Sequence, residues 1–274
     1  MNLFHKAALA TALSAVVGVA SAATITQVTQ TGTVYSTAGL TGYSTNGNEM
    51  DGMSVTATWI NSSGTIFTNT QAWADLPGSP SNDGGVRFVN NSGNNDFTLE
   101  VSGDTFDSNN WDLEFYISGA SSRLLSLDFD GTTGRTVFDI CDGNAYCQSN
   151  PYGTPGSATG RDFAGFGDFS GSITATYYNA VAIGNDAPVG DIYAGFRLEF
   201  GDGTYAKGLG ENSSGFLSCG FSCNPQYNFT LDTDNATTEI VQQPPQGVPA
   251  PGTAAVLGIG LLGLIASRRK QRKA

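Results

Sequence analysis

Trp111, Leu113, Phe115 and Ile117 take every second position of one short stretch, with Asp112, Glu114, Tyr116 and Ser118 between them. A period of two throws alternate side chains to opposite faces, as in a half-buried strand, and it does not fit a helix of 3.6 residues per turn. The period recurs where Leu125, Leu127 and Phe129 alternate with Ser126 and Asp128, and where Phe196, Leu198 and Phe200 alternate with Arg197 and Glu199. Ser54 to Ile60, Thr136 to Ile140, Ile173 to Ile183 and Tyr227 to Leu231 are further strand segments. Turn formers separate them: Pro77-Gly78-Ser79-Pro80, Asn82-Asp83-Gly84-Gly85, Asp130-Gly131, Asp142-Gly143-Asn144 and Asp202-Gly203. No stretch in this region holds an apolar helical period long enough for a sizeable helix, and no internal repeat stands out. Many short strands with frequent turns predict an all-β domain, a single β-sandwich of jelly-roll-like character, over residues 23–241.

Composition agrees with that class. The chain of 274 residues carries 36 glycines, 11% aromatics and only 13% charged residues, a balance of turn and strand formers that suits an extracellular β protein better than a cytosolic enzyme. A hydrophobic share of 39% is enough for a core. Charge is unevenly placed. Of the 12 basic residues, Lys6, Arg268, Arg269, Lys270, Arg272 and Lys273 lie at the two ends, so the region between sets the remaining six against all 24 carboxylates, a net charge of −18. Such a domain is repelled by phosphate backbones, and nucleic acid is excluded as a partner. An acidic surface suits solubility, divalent cations or a polysaccharide matrix.

Residues 1–22 read as a secretory signal. His5 and Lys6 precede an apolar stretch from Ala7 to Val19, and Ala20-Ser21-Ala22 supplies the small residues signal peptidase accepts. Cleavage after Ala22 starts the mature chain at Ala23. The other end has three parts: Val248-Pro249-Ala250-Pro251-Gly252, an apolar run from Thr253 to Ala266, and the basic stop of Arg268, Arg269, Lys270, Arg272 and Lys273. The run predicts one short C-terminal membrane helix, below the ~20 residues of an ordinary span. Its basic end stays cytoplasmic, which leaves everything upstream outside the inner membrane. Residues 242–247 form a Pro/Gln linker that holds the domain off the bilayer.

This order of motif, helix and basic end resembles the PEP-CTERM sorting signal of Gram-negative bacteria, in which a Val-Pro-Glu-Pro-like motif precedes a Gly/Leu-rich helix and terminal arginines. Val248, Pro249, Pro251 and Gly252 match the motif, Leu257-Gly258-Ile259-Gly260-Leu261-Leu262-Gly263-Leu264 the helix, and Arg268-Arg269 the stop. Ala250 stands where the family has Glu. The resemblance covers about the last tenth of the chain. It implies recognition by exosortase, a membrane-embedded cysteine peptidase or transpeptidase, and association with exopolysaccharide and biofilm. Phrases such as Gly52-Met53-Ser54-Val55-Thr56 and Pro188-Val189-Gly190-Asp191 also look like those of other PEP-CTERM ectodomains, and they bring no activity with them. The expected address is an inner-membrane-anchored intermediate, then the cell surface or extracellular matrix. A plain membrane anchor shares the helix and basic stop and stays open as a rival. A Gram-positive sortase signal does not fit, because no Leu-Pro-x-Thr-Gly is present. Gly258-x-Gly260-x-x-Gly263 matches a dinucleotide fingerprint only in its letters, since it lies in an apolar tail without a preceding strand.

Cys141, Cys147, Cys219 and Cys223 fall in two close pairs, which in an exported protein read as local disulfides, Cys141–Cys147 and Cys219–Cys223. A four-thiolate zinc site is the alternative, against which the spacing argues. The only histidine, His5, leaves with the signal segment. The mature chain therefore lacks imidazole for a Ser-His-Asp unit, a histidine-ligated metal or a His base. Lys207 is its only lysine before the tail, and nothing marks it as a nucleophile. No catalytic residue is assigned, and the reading is non-enzymatic. Paired carboxylates remain the one alternative for glycoside hydrolysis or elimination, with Glu114 and Glu199 on strand segments. Calcium is the one cofactor the residues suggest: Asp128, Asp130, Asp232 and Asp234 place oxygens at alternate positions in turn-like segments, where backbone turn chemistry equally explains them. A lectin-like module, using calcium or aromatics such as Tyr116, Trp59, Trp73 and Trp111, is the third functional alternative.

Overall fold

The computed structural model describes residues 24–41, 45–60, 63–76, 82–88, 95–105, 110–117, 123–140, 160–165, 171–184, 191–201 and 226–243. The signal segment, the four cysteines and the sorting tail from Val248 lie outside the described residues. Sixteen strands are described: β1 (Thr24–Gln30), β2 (Tyr35–Thr37), β3 (Ser54–Ile60), β4 (Ile66–Ala72), β5 (Ala74–Asp75), β6 (Asp83–Phe88), β7 (Asn95–Ser102), β8 (Trp111–Ile117), β9 (Arg123–Asp130), β10 (Thr136–Asp139), β11 (Ala164–Gly165), β12 (Ser172–Ile183), β13 (Ile192–Gly201), β14 (Gln226–Thr230), β15 (Thr233–Asn235) and β16 (Val241–Gln242). The only helical element among the described residues is a 3-10 turn, Gly47–Met50, closed at its start by the Asn46 amide NH donating to Glu49 Oε2 at 2.8 Å. None of these residues forms a helix long and apolar enough to cross a membrane. Apart from that turn the described residues are all-β, as their alternation demanded.

The strands form two sheets. The larger runs β16-β2-β12-β13-β9-β3-β4, with β1 beside β12 and β10 bridging β13 to β15; the smaller runs β11-β14-β8-β7-β6-β5. Neighbours pair antiparallel except β1 and β2, both parallel to β12. Inward residues of both sheets merge into one cluster. Val55, Ala57, Leu127, Phe129, Ile173, Tyr177, Phe196 and Leu198 come from the larger sheet, and Phe88, Leu99, Val101, Trp111, Leu113, Tyr227 and Phe229 from the smaller. The arrangement is sandwich-like, one apolar layer between two half-polar sheets.

Two breaks in the alternation shape this frame. Between β3 and β9 the register slips, so that Thr58 faces Ser126 while Trp59 faces Leu124. This bulge skips Leu125, which is only half-buried, and turns Leu124 into the core in its place. Regular alternation from Leu125 had pointed to the wrong leucine. In β12, Asn179 carries φ 62, and its Oδ1 accepts from the Thr33 NH at 3.2 Å. Ser172–Tyr178 pair with β1, whereas Val181–Ile183 pair with β2, and Val181 and Ile183 serve a second apolar cluster.

That second cluster joins Leu40, Val137, Val181, Ile192, Ala194, Ala236 and Ile240. It ties the two ends of the domain together: Leu40 bridges Ala236, and β16 pairs with β2. Gln243 adds its NH to Val34 O at 2.9 Å, so pairing continues through the first residues of the Pro/Gln segment. The Asp83-Gly84-Gly85 stretch, read from sequence as a turn, is the start of β6. Its glycines serve close approach instead: a Cβ on Gly84 would lie 2.1 Å from Gly47 O.

Candidate functional site: a buried acidic corner

Asp139 ends β10 between two other segments. Its NH donates to Asp232 O at 3.1 Å, and the next residue, Ile140, donates to Asp191 O at 2.9 Å. Three adjacent segments thus bring an aspartate to the same level, and Asp234, opposite Val137, follows two residues after Asp232. All four are shut away from solvent, with exposures of 4% for Asp139, 3% for Asp191, 1% for Asp232 and 3% for Asp234. Gly160 lies directly on Asp139, since a Cβ there would stand 2.2 Å from Asp139 Oδ1. Thr105 pins the far side: its hydroxyl donates to Thr233 O at 3.2 Å and accepts from the Thr233 NH at 3.3 Å. Asp104 is thereby held beside the group.

Burial dominates the electrostatics. It raises the Asp139 carboxyl well above its ordinary range, and the charges of Asp232, Asp234 and Asp191 add to the rise. Asp232 is likewise raised well by burial and by Asp234 and Asp104, with Arg161 opposing. Asp234 is pushed up to about 7, burial being tempered by a hydrogen bond from Asp139. Asp139 and Asp234 titrate together as a pair, and burial favours a proton retained between them. Among the described residues, Oδ1 of Asp139, Asp232 and Asp234 each lack a hydrogen-bond partner. The fully buried Tyr177 phenol is raised well by burial and feels Asp162, Asp232 and Asp139. Chemically the corner is a proton-holding group of carboxyls with acceptor capacity to spare.

Of the four expected calcium residues, Asp232 and Asp234 lie in this corner and Asp128 and Asp130 do not. Asp128 accepts from Arg197 Nε at 2.9 Å, from an Arg197 terminal nitrogen and from the Tyr178 hydroxyl. The Tyr178 phenol is raised by burial and then by that bond. Asp130 accepts from the Thr132 NH at 3.0 Å and from its hydroxyl at 2.6 Å, capping the turn before β10. Among the described residues, no three His, Cys, Asp or Glu side chains converge so as to hold a metal ion.

The remaining candidates are dispersed. Glu114 and Glu199 belong to different sheets, each next to inward residues (Leu113; Leu198 and Phe200), and so lie on opposite outer faces of the sandwich. A carboxylate pair does occur elsewhere: Glu100 stands opposite Asp112 on neighbouring strands, and burial followed by Asp112, Glu114 and Asp83 raises it. Trp59, Trp73 and Trp111 are core residues, with 7%, 0% and 0% exposure, which removes them as a sugar-stacking surface. Trp73 Nε1 donates to Gly47 O and Trp111 Nε1 to Leu231 O, both at 2.7 Å. Sequence reasoning missed Asp139, Asp191 and the Glu100–Asp112 pair. Asp139 and Asp191 sit at strand boundaries far from Asp232 in the chain, and only the pairing of β10 with β13 and β15 unites them. Compared with protein-family models, curated proteins and solved structures, the chain matches none.

Proposed function

We propose that this is an exported, non-enzymatic surface or extracellular-matrix protein, delivered by signal peptidase cleavage after Ala22 and sorted through its C-terminus by exosortase. One observation carries the reading: Val248-Pro249-Ala250-Pro251-Gly252, the apolar run and the Arg/Lys end stand in sorting-signal order behind an all-β domain. On this reading the body is a jelly-roll-like sandwich, and the final helix holds the chain briefly in the inner membrane of a Gram-negative bacterium. The domain then joins the surface or an exopolysaccharide matrix. A mature chain without imidazole and with inward tryptophans supports a structural role over catalysis or aromatic sugar capture. The test is intact mass of the protein recovered from envelope and medium. Loss of residues 1–22 and of the segment after about Val248 is the expected result; a retained basic end makes the tail an ordinary anchor.

A second reading, calcium-assisted carbohydrate binding, draws on the buried carboxyls of Asp139, Asp232 and Asp234, which do not converge on one point among the described residues and would have to rearrange around a cation. Saturable binding to purified exopolysaccharide that a chelator abolishes would favour this reading, and a thermal midpoint indifferent to calcium would end it.

A further inference from the structure

The two sheets end differently. The smaller closes on β5 and β11, each only two residues long. The larger ends on β4 and on the two-residue β16, with β1 as a further edge strand beside β12; β4 and β1 are each seven residues long, IFTNTQA and TITQVTQ, with no charge, proline or glycine in either. Among the described residues no strand pairs with the outer edge of either one. Long uncharged edges expose a row of backbone donors and acceptors, and proteins normally blunt them with charge, proline or brevity. Brevity protects the ends of the smaller sheet; among the described residues β4 carries none of these devices, and β1 has only the segment at Asp162–Phe163, hydrogen-bonded to Gln27, beside it.

We propose that these two edges fit each other between copies of this chain, β4 of one copy pairing in parallel with β1 of the next, so that the larger sheet runs on from molecule to molecule. Strand direction allows it. From β1 through β12, β13, β9 and β3 to β4, one parallel and four antiparallel pairings leave β1 and β4 pointing the same way. Face parity allows it too. In β4, Ile66, Thr68, Thr70 and Ala72 are exposed while Phe67 packs against the core; in β1, Thr24 and Thr26 are exposed while Ile25 packs against the same core.

Laid side by side from their first residues, the strands set Thr68 beside Thr26 on the outer face. Phe67 then meets Ile25 on the inner face, joining two half-covered rims of the core. Ile66, 60% exposed, gains cover beside Thr24. β16 does not block the joint, because β2 and β16 stand opposite Val181–Ile183 while β1 stands opposite Ser172–Tyr178. Elsewhere a net charge of −18 between the ends keeps copies apart, so approach is favoured only where charge is missing. The contact is head-to-tail and joins different edges, and with the normal strand twist it propagates as a helical filament instead of closing as a dimer. It stands independently of how the chain is sorted.

The test is sedimentation velocity of the full-length chain in mild detergent over a dilution series. Wild type is expected to form species that grow past the dimer with concentration. Thr26→Lys with Thr68→Lys puts like charges together at the joint and lowers association by about tenfold or more at low salt. Thr26→Glu with Thr68→Lys restores it, a rescue that a merely misfolded variant would not show. A monomer at every concentration, a closed dimer indifferent to Thr26, or association unchanged by the paired lysines would overturn the proposal.

Discussion

Trp111 and Asp232 are buried almost equally, at 0% and 1% exposure, and to opposite effect. Trp111 stacks on Phe229 at 5.5 Å, meets Phe129 edge-on at 5.8 Å, lies 5.4 Å from Trp73 and satisfies its one donor on Leu231 O. Every atom it hides is apolar or hydrogen-bonded, so its burial stabilises the fold whatever the pH. Asp232 hides a carboxyl with one partnerless oxygen among other carboxyls, which favours the fold only while protons or a cation cancel the charge. The aromatic layer sets how stable the sandwich is. The acidic corner sets when that stability is fully available.

The largest effect belongs to the aromatic layer. Trp111→Ala should cost about 3–5 kcal/mol in denaturant unfolding, and the cost should be similar at acid and at mildly alkaline pH. A loss that vanished at one pH would erase the contrast. Next comes the corner. Its carboxyls have folded-state pKa values above their unfolded ones, so their contribution is full below about pH 4 and is lost as pH rises through the value of about 7 for Asp234. Asp104, Asp139, Asp191 and Asp232 reinforce that loss, and Arg161 opposes it. Asp234→Asn, measured with chelator present, should therefore match wild type at low pH and exceed it by about 4 kcal/mol near pH 8. An equal gain at all pH values would show that charge is not the cause. The smallest effect lies on the outer face. Arg197→Met breaks the Asp128 pair, but with side chains 46% and 25% exposed it should cost under about 1 kcal/mol, less still in high salt. A loss of several kcal/mol would mean that this surface pair behaves like a buried one.

The elements that alternate strictly were legible in the sequence: β3 and the stretch of β13 from Phe196 to Phe200, together with the inward Trp111 and Leu113 of β8, follow from period two alone. Legibility failed where pairing overrides local pattern. The β3–β9 bulge exchanges Leu125 for Leu124, and the glycines at the start of β6 look like a turn until Gly47 is seen against Gly84. The acidic corner was half legible. Asp232 and Asp234 announce themselves two residues apart, whereas Asp139 and Asp191 join them through long-range pairing that no local spacing encodes. The split between β1 and β2 turns on Asn179 in a left-handed conformation, which is a single residue inside an otherwise uniform strand pattern.

The proposed sorting through the C-terminus to the surface is tested by comparing a host with and without exosortase. Fractionated cells would be followed by intact mass of this chain. Trimmed protein is expected at the surface and in the medium of the complete host, and protein with an intact Arg/Lys end in the inner membrane when exosortase is missing. The same location and the same mass in both hosts would contradict it and leave the tail as a permanent anchor.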